Sequence, residues 1–383
     1  MNVLMLYNLF DVKSDRKKRK TINFTDYFWV AKLIYILGIG SCFMIRFGIA
    51  GIPLTSKGRT FIESVEDAHN LGLNALEVQL LRVNVEESPA LEYAGMNPRD
   101  IESSIIVDVL RQDEDGNYVG IGIDSVIEED DIVQELFWNM ARNYDDLIDG
   151  GKLAKELDVK LSMHAPYYME LLSEEEMGDK SYNHLKWTLM MGKAMTAHRV
   201  VTHTGFYSGS KKDSLKRAID VYTEISQKYS PEHGYPYIGV ESSGKTEIFG
   251  TTAELVSLAK KVKDIEPVLN FPHVHSINGG SLIEVKDFDA VISEFSKYAK
   301  DDLYAEFAGV QYQDHNEEKL TAIKHGDLKF ETLAESLIDY DSDMTIISSS
   351  PLLEHDAQYM DLIYLRALSK KYQKKAAVKK TVA

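Results

Sequence analysis

Cysteine is almost absent from this sequence. Cys42 is the single cysteine among 383 residues, so the chain cannot contain an internal disulfide framework. One thiol is typical of proteins from a reducing compartment, and we expect a cytoplasmic protein. Because there is no cluster of thiolates, a metal site in this chain would have to use histidine, aspartate and glutamate side chains.

Positive charge is also scarce. The chain has 43 lysine and arginine residues against 60 aspartate and glutamate residues, which gives a formal net charge of −17. This balance excludes a general electrostatic attraction of the whole molecule to nucleic acid. A nucleic-acid-binding function would need a local basic patch, or metal ions that reverse the sign of an acidic site.

The sequence lacks a long hydrophobic run as well. Residues 28–45 are apolar apart from Lys32, but the uninterrupted run Leu33–Ile45 is too short to span a bilayer comfortably. The basic run Lys13–Lys20 precedes it, as it would in a signal anchor. However, the apolar run continues without a linker into a predicted core strand, where a membrane helix is hard to build. Membrane attachment is therefore not expected.

The first 43 residues differ in character from the rest of the chain. The simplest interpretation is that residues 1–43 are an extraneous or apolar N-terminal extension, with Met44 as the natural initiator. A membrane anchor and an additional packed helix are the alternatives. We expect a chain that starts at Met44 to fold, because the first predicted strand begins at Arg46.

From Ile45 onward, apolar runs rich in β-branched residues alternate with helical patterns. The predicted strands are 46–50, 75–79, 160–164, 199–203, 237–241, 266–271, 303–308 and 344–348. The predicted helices are Thr60–Leu71, Tyr182–Ala197, Lys211–Tyr229, Thr252–Val262, Asp287–Ala299 and Lys329–Asp339. Eight strands with intervening helices predict an α/β fold, a (β/α)8 TIM barrel over residues 44–370, followed by a basic tail over residues 371–383.

The interval between the second and third predicted strands is much longer than the others. Residues 103–110 and 118–126 alternate in polarity around Asp113–Asn117, which is a strong hairpin signal. We therefore predict a β-hairpin-containing insertion at residues 82–126, on the top face of the barrel. It would shape the substrate groove or serve only as decoration. A long acidic helix is predicted to follow at residues 128–147.

Polar side chains of ligand type end several of the predicted strands. His164 and His203 each follow an apolar strand, and Glu241 ends the strand Tyr237–Glu241. The carboxyl ends of parallel barrel strands meet at one face, where active sites lie. Two imidazoles and one carboxylate are a common catalytic zinc set. The pattern predicts a metal site, and a satisfied hydrogen-bond network is the alternative.

Further candidate ligands follow the sixth and seventh predicted strands. The sixth strand offers Asn270 and His273, and the seventh offers Glu306. The loop after the seventh strand adds His315, Glu317, Glu318, His325 and Asp327. A second or third cation is therefore possible, and two neighbouring ions can activate a water and hold the leaving oxygen of a phosphodiester.

These segments resemble the endonuclease IV-type apurinic/apyrimidinic endonucleases (AP endonuclease family 2), within the xylose-isomerase-like TIM barrels. The resemblance runs from about Arg46 to the last helix and is interrupted by the insertion. It is carried by His164–Tyr167 (HAPY), Thr202–Gly205 (THTG), Val240–Gly244 (VESSG), Asn270–His273 (NFPH) and Ile323–Leu328 (IKHGDL).

The resemblance implies three zinc sites, of which one is complete. His164, His203 and Glu241 match the first site, with Glu241 bridging to the second. The remaining places of the second site hold Asn270, Glu306 and Ser349. The places of the third site hold His273, Glu318 and Leu320, with His275 or His325 as possible substitutes. Two of the three sites therefore look eroded, because serine and leucine do not replace acidic or imidazole ligands.

The resemblance also implies a function. It indicates a metal-dependent hydrolase, a phosphodiesterase that acts on abasic sites in DNA during repair, or a divergent paralogue of one. Glu241 is the expected catalytic carboxylate, the cofactor is zinc or another divalent cation such as manganese, and Tyr167 and Arg82 fall near positions that touch DNA in the family. Abasic DNA is the expected partner, and no protein partner is inferred.

Two rival functions remain open. The first is a sugar isomerase or epimerase with a single metal on the same barrel, which suits the eroded sites and the acidic composition. The second is a non-catalytic barrel that binds nucleic acid or protein.

Overall fold

The computed structural model describes residues 43–382, so the predictions made for residues 1–42 lie outside the described residues. Fourteen strands occur in the described part, namely β1 (Ile45–Ala50), β2 (Ala75–Gln79), β3 (Val85–Pro89), β4 (Ile105–Gln112), β5 (Tyr118–Gly120), β6 (Ile132–Leu136), β7 (Lys160–His164), β8 (Arg199–Thr202), β9 (Tyr237–Glu241), β10 (Ile265–Asn270), β11 (Leu303–Phe307), β12 (Gly309–Gln313), β13 (Asn316–Thr321) and β14 (Met344–Ser348).

Nine α-helices lie in the same described range. They are α1 (Phe61–Asn70), α2 (Tyr144–Glu156), α3 (Glu176–Ala194), α4 (Lys211–Lys228), α5 (Thr252–Lys261), α6 (Phe271–Ile277), α7 (Val285–Ser296), α8 (Phe330–Leu337) and α9 (Glu354–Val382). The backbone of the predicted basic tail continues α9 as far as Val382. Within residues 43–382, no helix is both long and apolar enough to cross a bilayer.

Eight strands close into a parallel barrel, in the order β1-β14-β11-β10-β9-β8-β7-β2. The predicted (β/α)8 barrel is therefore confirmed, and each predicted barrel strand lies within about two residues of its observed bounds. Closure joins the first and last strands, because Ile45 pairs with Met344 and Ile49 pairs with Ser348. Since all eight strands run in the same direction, the ends of β7, β8, β9, β10 and β11 lie at one face of the barrel.

Local capping fixes where several helices begin. Thr60 and Glu63 form a capping box at the start of α1, and Thr251 and Glu254 form another at the start of α5. Each box satisfies backbone N–H groups that have no partner inside the helix. The carboxylate of Glu354, at the start of α9, accepts hydrogen bonds from the backbone of Leu54 and Thr55 in the loop after β1.

Residues between β2 and β7 form a four-stranded antiparallel sheet in the order β3-β6-β4-β5. The hairpin of β4 and β5 lies where the alternation predicts it, with Gln112 opposite Tyr118. The predicted helix at residues 128–147 is wrong, because Ile132–Leu136 is the strand β6 and the helix α2 begins only at Tyr144. The sheet therefore extends beyond the predicted insertion, which ends at residue 126.

The acidic residues that suggested a helix have partners in distant strands. Glu135 of β6 is buried, and its carboxylate accepts hydrogen bonds from the hydroxyls of Ser88 and Ser104. Asp131 accepts two hydrogen bonds from the guanidinium of Arg111. Buried carboxylates with such partners fit a strand interior, where an unpaired charge would not.

Candidate metal centre

Three neighbouring barrel strands bring His164, His203 and Glu241 together. His164 is the last residue of β7, His203 follows β8 directly, and Glu241 is the last residue of β9. The Glu241 Oε2 atom lies 3.0 Å from His164 Nε2 and 3.3 Å from His203 Nε2. The cluster that the strand ends predict is therefore formed, with one carboxylate oxygen facing both imidazoles.

The cluster is buried and strongly coupled. Burial alone would raise the pKa of Glu241, which is 2% exposed, but the neighbouring His203 and His164 hold it well below its usual value. Burial lowers the pKa of His203 to about 4, although Glu241 opposes the shift. For His164, burial is outweighed by the hydrogen bond to Glu241 and the charge of Glu77, and the pKa rises to about 9.

The donor set fits a divalent cation. His164 Nδ1 lies 2.5 Å from the backbone oxygen of Ala165, which leaves Nε2 as the nitrogen that faces Glu241. One donor atom from each of His164, His203 and Glu241 lies within 4.8 Å of the others. Two imidazoles and a carboxylate in this arrangement suit zinc or a similar ion, with positions left for water or substrate. A cation there would displace the proton on His164 Nε2.

The other oxygen of Glu241 faces the next strand. Glu241 Oε1 accepts a hydrogen bond of 2.7 Å from Asn270 Nδ2 and lies 3.3 Å from His273 Nδ1. His273 Nδ1 is 2.6 Å from the backbone oxygen of Ser242, so the Nε2 atom of His273 remains for another partner. The nearest carboxylate oxygen on that side is Glu317 Oε2, which lies 3.3 Å from Nε2 without forming a hydrogen bond. His273 and Glu317 therefore extend the row of polar groups beyond Glu241.

Glu306, at the end of β11, completes the floor of the centre. Its Oε2 atom is 3.2 Å from Asn270 Nδ2, and its Oε1 atom has no hydrogen-bond partner in the described part of the chain. Burial raises the pKa of Glu306 well above its usual value, and the charges of Glu241 and Glu77 add to this effect. Glu241 and Glu306 therefore have pKa values shifted in opposite directions, downwards for Glu241 and upwards for Glu306.

Two of the predicted ligands are placed differently from the expectation. Glu318 is exposed, and its carboxylate accepts a hydrogen bond from the amide of Gln311. Its neighbour Glu317 faces His273 instead, because successive residues of a strand point to opposite sides. Asn270 lies in the centre but turns its NH2 group, not its oxygen, towards Glu241 and Glu306.

The possible substitutes for a third site are His275 and His325. Both nitrogens of His275 have other partners, because Nε2 lies 3.1 Å from Asp327 and Nδ1 accepts a hydrogen bond from the backbone of Leu282. His325 is exposed in the turn after β13. Another candidate from the same loop, His315, has its Nδ1 atom 3.1 Å from the backbone oxygen of Ile277 in α6.

The predicted substrate-binding residues lie at the rim. Arg82 is exposed shortly after β2, and Tyr167 is 70% exposed in the loop after β7, with its ring against Tyr168. Other exposed apolar side chains on this face follow barrel strands, namely Leu54, Leu81, Phe206 and Leu352. Exposed cations in the segments that follow barrel strands are Lys57, Arg59, Lys212, Lys245 and Lys319, and none of them forms an ion pair within residues 43–382.

Glu77 is a polar group that the strand-end pattern missed. It is fully buried in β2, and its Oε2 atom accepts a hydrogen bond of 2.8 Å from the hydroxyl of Tyr304. Burial raises its pKa, although His164 opposes the shift. Like Glu241, Glu77 is a glutamate in an otherwise apolar strand (ALEVQ). The same sequence signal could therefore have identified Glu77.

A second group of acids with a histidine lies at the opposite end of the barrel. His198, Asp301 and Asp302 are close enough to hold a metal, but Lys160 Nζ already contacts both carboxylates, at 2.9 and 2.8 Å. Arg199 also donates a hydrogen bond of 2.7 Å to Asp302. Because protein cations neutralise these acids, we interpret the group as a structural ion network.

Comparisons with known proteins agree with this architecture. A family model described as xylose isomerase-like TIM barrel matches residues 131–357. A chain of an uncharacterized protein from Methanocaldococcus jannaschii is 26% identical over 218 residues, which cover 55% of this chain and 79% of the relative.

Solved structures of several different proteins share the fold. The protein named SacUVDE is 15% identical, with a TM-score of 0.55 over 86% of this chain and 99% of that chain. Endonuclease IV from Thermus thermophilus is 15% identical, with a TM-score of 0.53 over 85% and 99%. A D-tagatose 3-epimerase-like protein is 14% identical, with a TM-score of 0.54 over 85% and 99%.

Proposed function

The chain belongs to the xylose isomerase-like TIM barrel family, and from this premise we propose that it is a divalent-metal-dependent phosphodiesterase that cleaves DNA at abasic sites. The observation that carries the proposal is the cluster of His164, His203 and Glu241 at the carboxyl ends of three adjacent strands. Two imidazoles and a carboxylate are a donor set used by hydrolytic zinc sites.

Each side chain of the cluster has a separate task in this proposal. A cation held by His164, His203 and Glu241 would polarise the phosphate and lower the pKa of a water. The hydrogen bond from His164 to Ala165 fixes the ring, so that Nε2 points into the centre. Glu306 lies at the floor of the site with a pKa raised by burial, and we assign it the task of protonating the leaving oxygen.

The rim suits a nucleic acid despite the acidic composition of the chain. Unpaired cations occur in the segments that follow β1, β2, β8, β9 and β11, and phosphate contacts of this kind supply most non-specific affinity for DNA. The exposed ring of Tyr167 offers a surface on which a base next to an abasic gap could stack. Carboxylates such as Glu174 and Glu247 lie nearby, so the attraction is local.

Salt dependence provides one test of the substrate. We expect binding to an abasic duplex to weaken as salt is added. The logarithm of the association constant should fall linearly with the logarithm of the salt concentration. Lys245→Glu should weaken binding and reduce the magnitude of the slope by about one or more, because Lys245 is exposed next to the centre. The measurement is fluorescence anisotropy over a salt series.

A matched control uses a lysine far from the centre. Lys261 is exposed at the last position of α5, at the opposite end of the barrel, and Lys261→Glu makes the same change in net charge. It should leave binding nearly unchanged. Equal losses in the two variants, or binding that does not respond to salt, would argue against DNA as the substrate.

One observation favours a second candidate function, a single-metal sugar isomerase or epimerase. Glu77 and Glu306 are buried carboxyl groups, and each has one oxygen without a hydrogen-bond partner among the described residues. Such groups could move a proton between two carbons of a sugar. Assaying the manganese- and zinc-loaded protein with both an abasic duplex and a set of ketoses decides between the two, since turnover of a ketose without DNA cleavage would overturn our proposal.

A further inference from the structure

Two buried carboxyl groups flank Asn270 in the candidate metal centre. Glu241 is 2% exposed and Glu306 is 4% exposed, and they end the strands on either side of β10. Buried carboxyl groups placed this close are stable only if a cation, a proton or hydrogen-bond donors lie between them. The group that lies between them in this protein is the side chain of Asn270.

The orientation of the Asn270 amide is fixed by the backbone of the next helix. Its Oδ1 atom accepts a hydrogen bond of 3.1 Å from the backbone N–H of His273 and so caps the first turn of α6. The backbone N–H of Asn270 in turn donates to the hydroxyl of Ser242, at 3.0 Å. A flipped amide would leave the His273 N–H without this partner and place a third oxygen against the two carboxyl groups.

The NH2 group of Asn270 is therefore the part that faces the acids. Its Nδ2 atom lies 2.7 Å from Glu241 Oε1 and 3.2 Å from Glu306 Oε2. An amide carries two N–H donors, and here there is one for each carboxyl group. The two acids are thus connected by a neutral hydrogen-bond donor.

We infer that the Asn270 amide fills the position between Glu241 and Glu306 that a second cation would otherwise take. The centre then binds one divalent cation, on the side of Glu241 that faces His164 and His203. Asn270 is a positioning residue, because it holds the Glu241 carboxylate with Oε2 turned towards the two histidines. The inference rests on the proposed function only in taking His164, His203 and Glu241 as the cation site.

Asn270→Asp tests the inference directly. Aspartate caps a helix as well as asparagine does, so α6 should remain, but the donor is lost and a third carboxylate is added. We expect wild-type protein to bind about one equivalent of Mn²⁺ and Asn270→Asp to bind about one more, because three buried carboxylates require a cation. The measurement is elemental analysis after equilibrium dialysis against Mn²⁺, supported by calorimetric titration.

A matched control is available at the other end of the same helix. Asn278 follows α6 and its amide donates to the backbone oxygen of Val274, so Asn278→Asp makes the same chemical change outside the centre. It should bind the wild-type amount of Mn²⁺. A second variant, Glu306→Gln, should also keep the wild-type amount, because Glu306 holds no cation when Asn270 is present.

The outcomes separate this inference from the proposed function. An unchanged Mn²⁺ content in a folded Asn270→Asp variant would overturn the inference. So would loss of one equivalent in Glu306→Gln, and this second test stands even if Asn270→Asp does not fold. Failure to cleave abasic DNA with the expected Mn²⁺ contents would overturn only the proposed function. Wild-type protein that binds no cation after dialysis would overturn both.

Discussion

Replacing His203 by alanine is expected to remove about one equivalent of bound divalent cation and to lower catalytic activity at least about a hundred-fold. The Nε2 atom of His203 lies 3.3 Å from Glu241 Oε2, and the remaining two donors would form an incomplete site. Mutation of a residue that only hydrogen-bonds to a metal ligand usually lowers metal affinity or activity by about 10- to 100-fold. Loss of a ligand itself should therefore lower them further. Elemental analysis and an activity assay on the same preparation check both effects.

The chain offers a matched control on the same strand. His198 precedes β8 and His203 follows it, so the two histidines lie at opposite ends of one strand. His198→Ala removes an imidazole of equal size from the structural ion network and should leave the cation content unchanged. Comparable losses of cation in the two variants, or full content in His203→Ala, would contradict the assignment of the centre.

Replacing Arg199 by methionine is expected to lower the free energy of unfolding by about 3–5 kcal/mol at pH 7. The guanidinium is 1% exposed, donates a hydrogen bond of 2.7 Å to each of Glu266 and Asp302, and lies 4.5 Å from the ring centre of Tyr304. Methionine fills much of the same volume but leaves the buried Glu266 without a cation and Asp302 with Lys160 alone. Urea unfolding monitored by circular dichroism measures the change.

The sign of the pH dependence follows from Asp302. Burial alone would raise the pKa of Asp302, but Arg199 and Lys160 outweigh burial and hold it well below its usual value. In wild-type protein this pairing contributes stability above the unfolded pKa of about 3.9, and the contribution is lost as the pH falls through the lower, folded value. In Arg199→Met the carboxylates protonate more easily, so the difference from wild type should shrink as the pH falls towards about 4.

An exposed ion pair provides the comparison for Arg199. Lys263 and Glu232 form a contact in which both side chains are largely exposed, so Lys263→Met should leave the free energy of unfolding nearly unchanged. Two results would show that the buried network does not stabilise the barrel as described. One is a loss of stability in Arg199→Met as small as that in Lys263→Met, and the other is a loss in Arg199→Met that grows as the pH falls.

The barrel and the cluster of candidate metal ligands were predictable because both depend on strand ends. A parallel barrel places the residue after each apolar strand on one face, so His164, His203 and Glu241 could be grouped without any knowledge of distances. The same logic extends to Glu306, which is brought against Asn270. In these cases the local pattern determines the tertiary neighbourhood.

Features that depend on register or on remote partners were not predictable. Glu317 and Glu318 are adjacent in sequence. Which of the two faces His273 depends on the register between β12 and β13, and this register shifts between Gln311 and Tyr312. Strand β6 was not predictable, because the partners that stabilise the buried Glu135 are serines in β3 and just before β4. Neither a bulge nor a long-range hydrogen bond leaves a periodic signal in the sequence.

The pairing of β1 with β14 has a consequence for how the chain folds. Ile45 and Met344 are neighbours in the barrel, so closure joins residues that are far apart in sequence. Contacts of such high sequence separation slow folding, because the entropy of the intervening chain is lost before they form. During synthesis, β1 must wait with an open edge until Met344–Ser348 has left the ribosome. The barrel is therefore completed late, and until then the unpaired edge of β1 is open to pairing with strands of other chains.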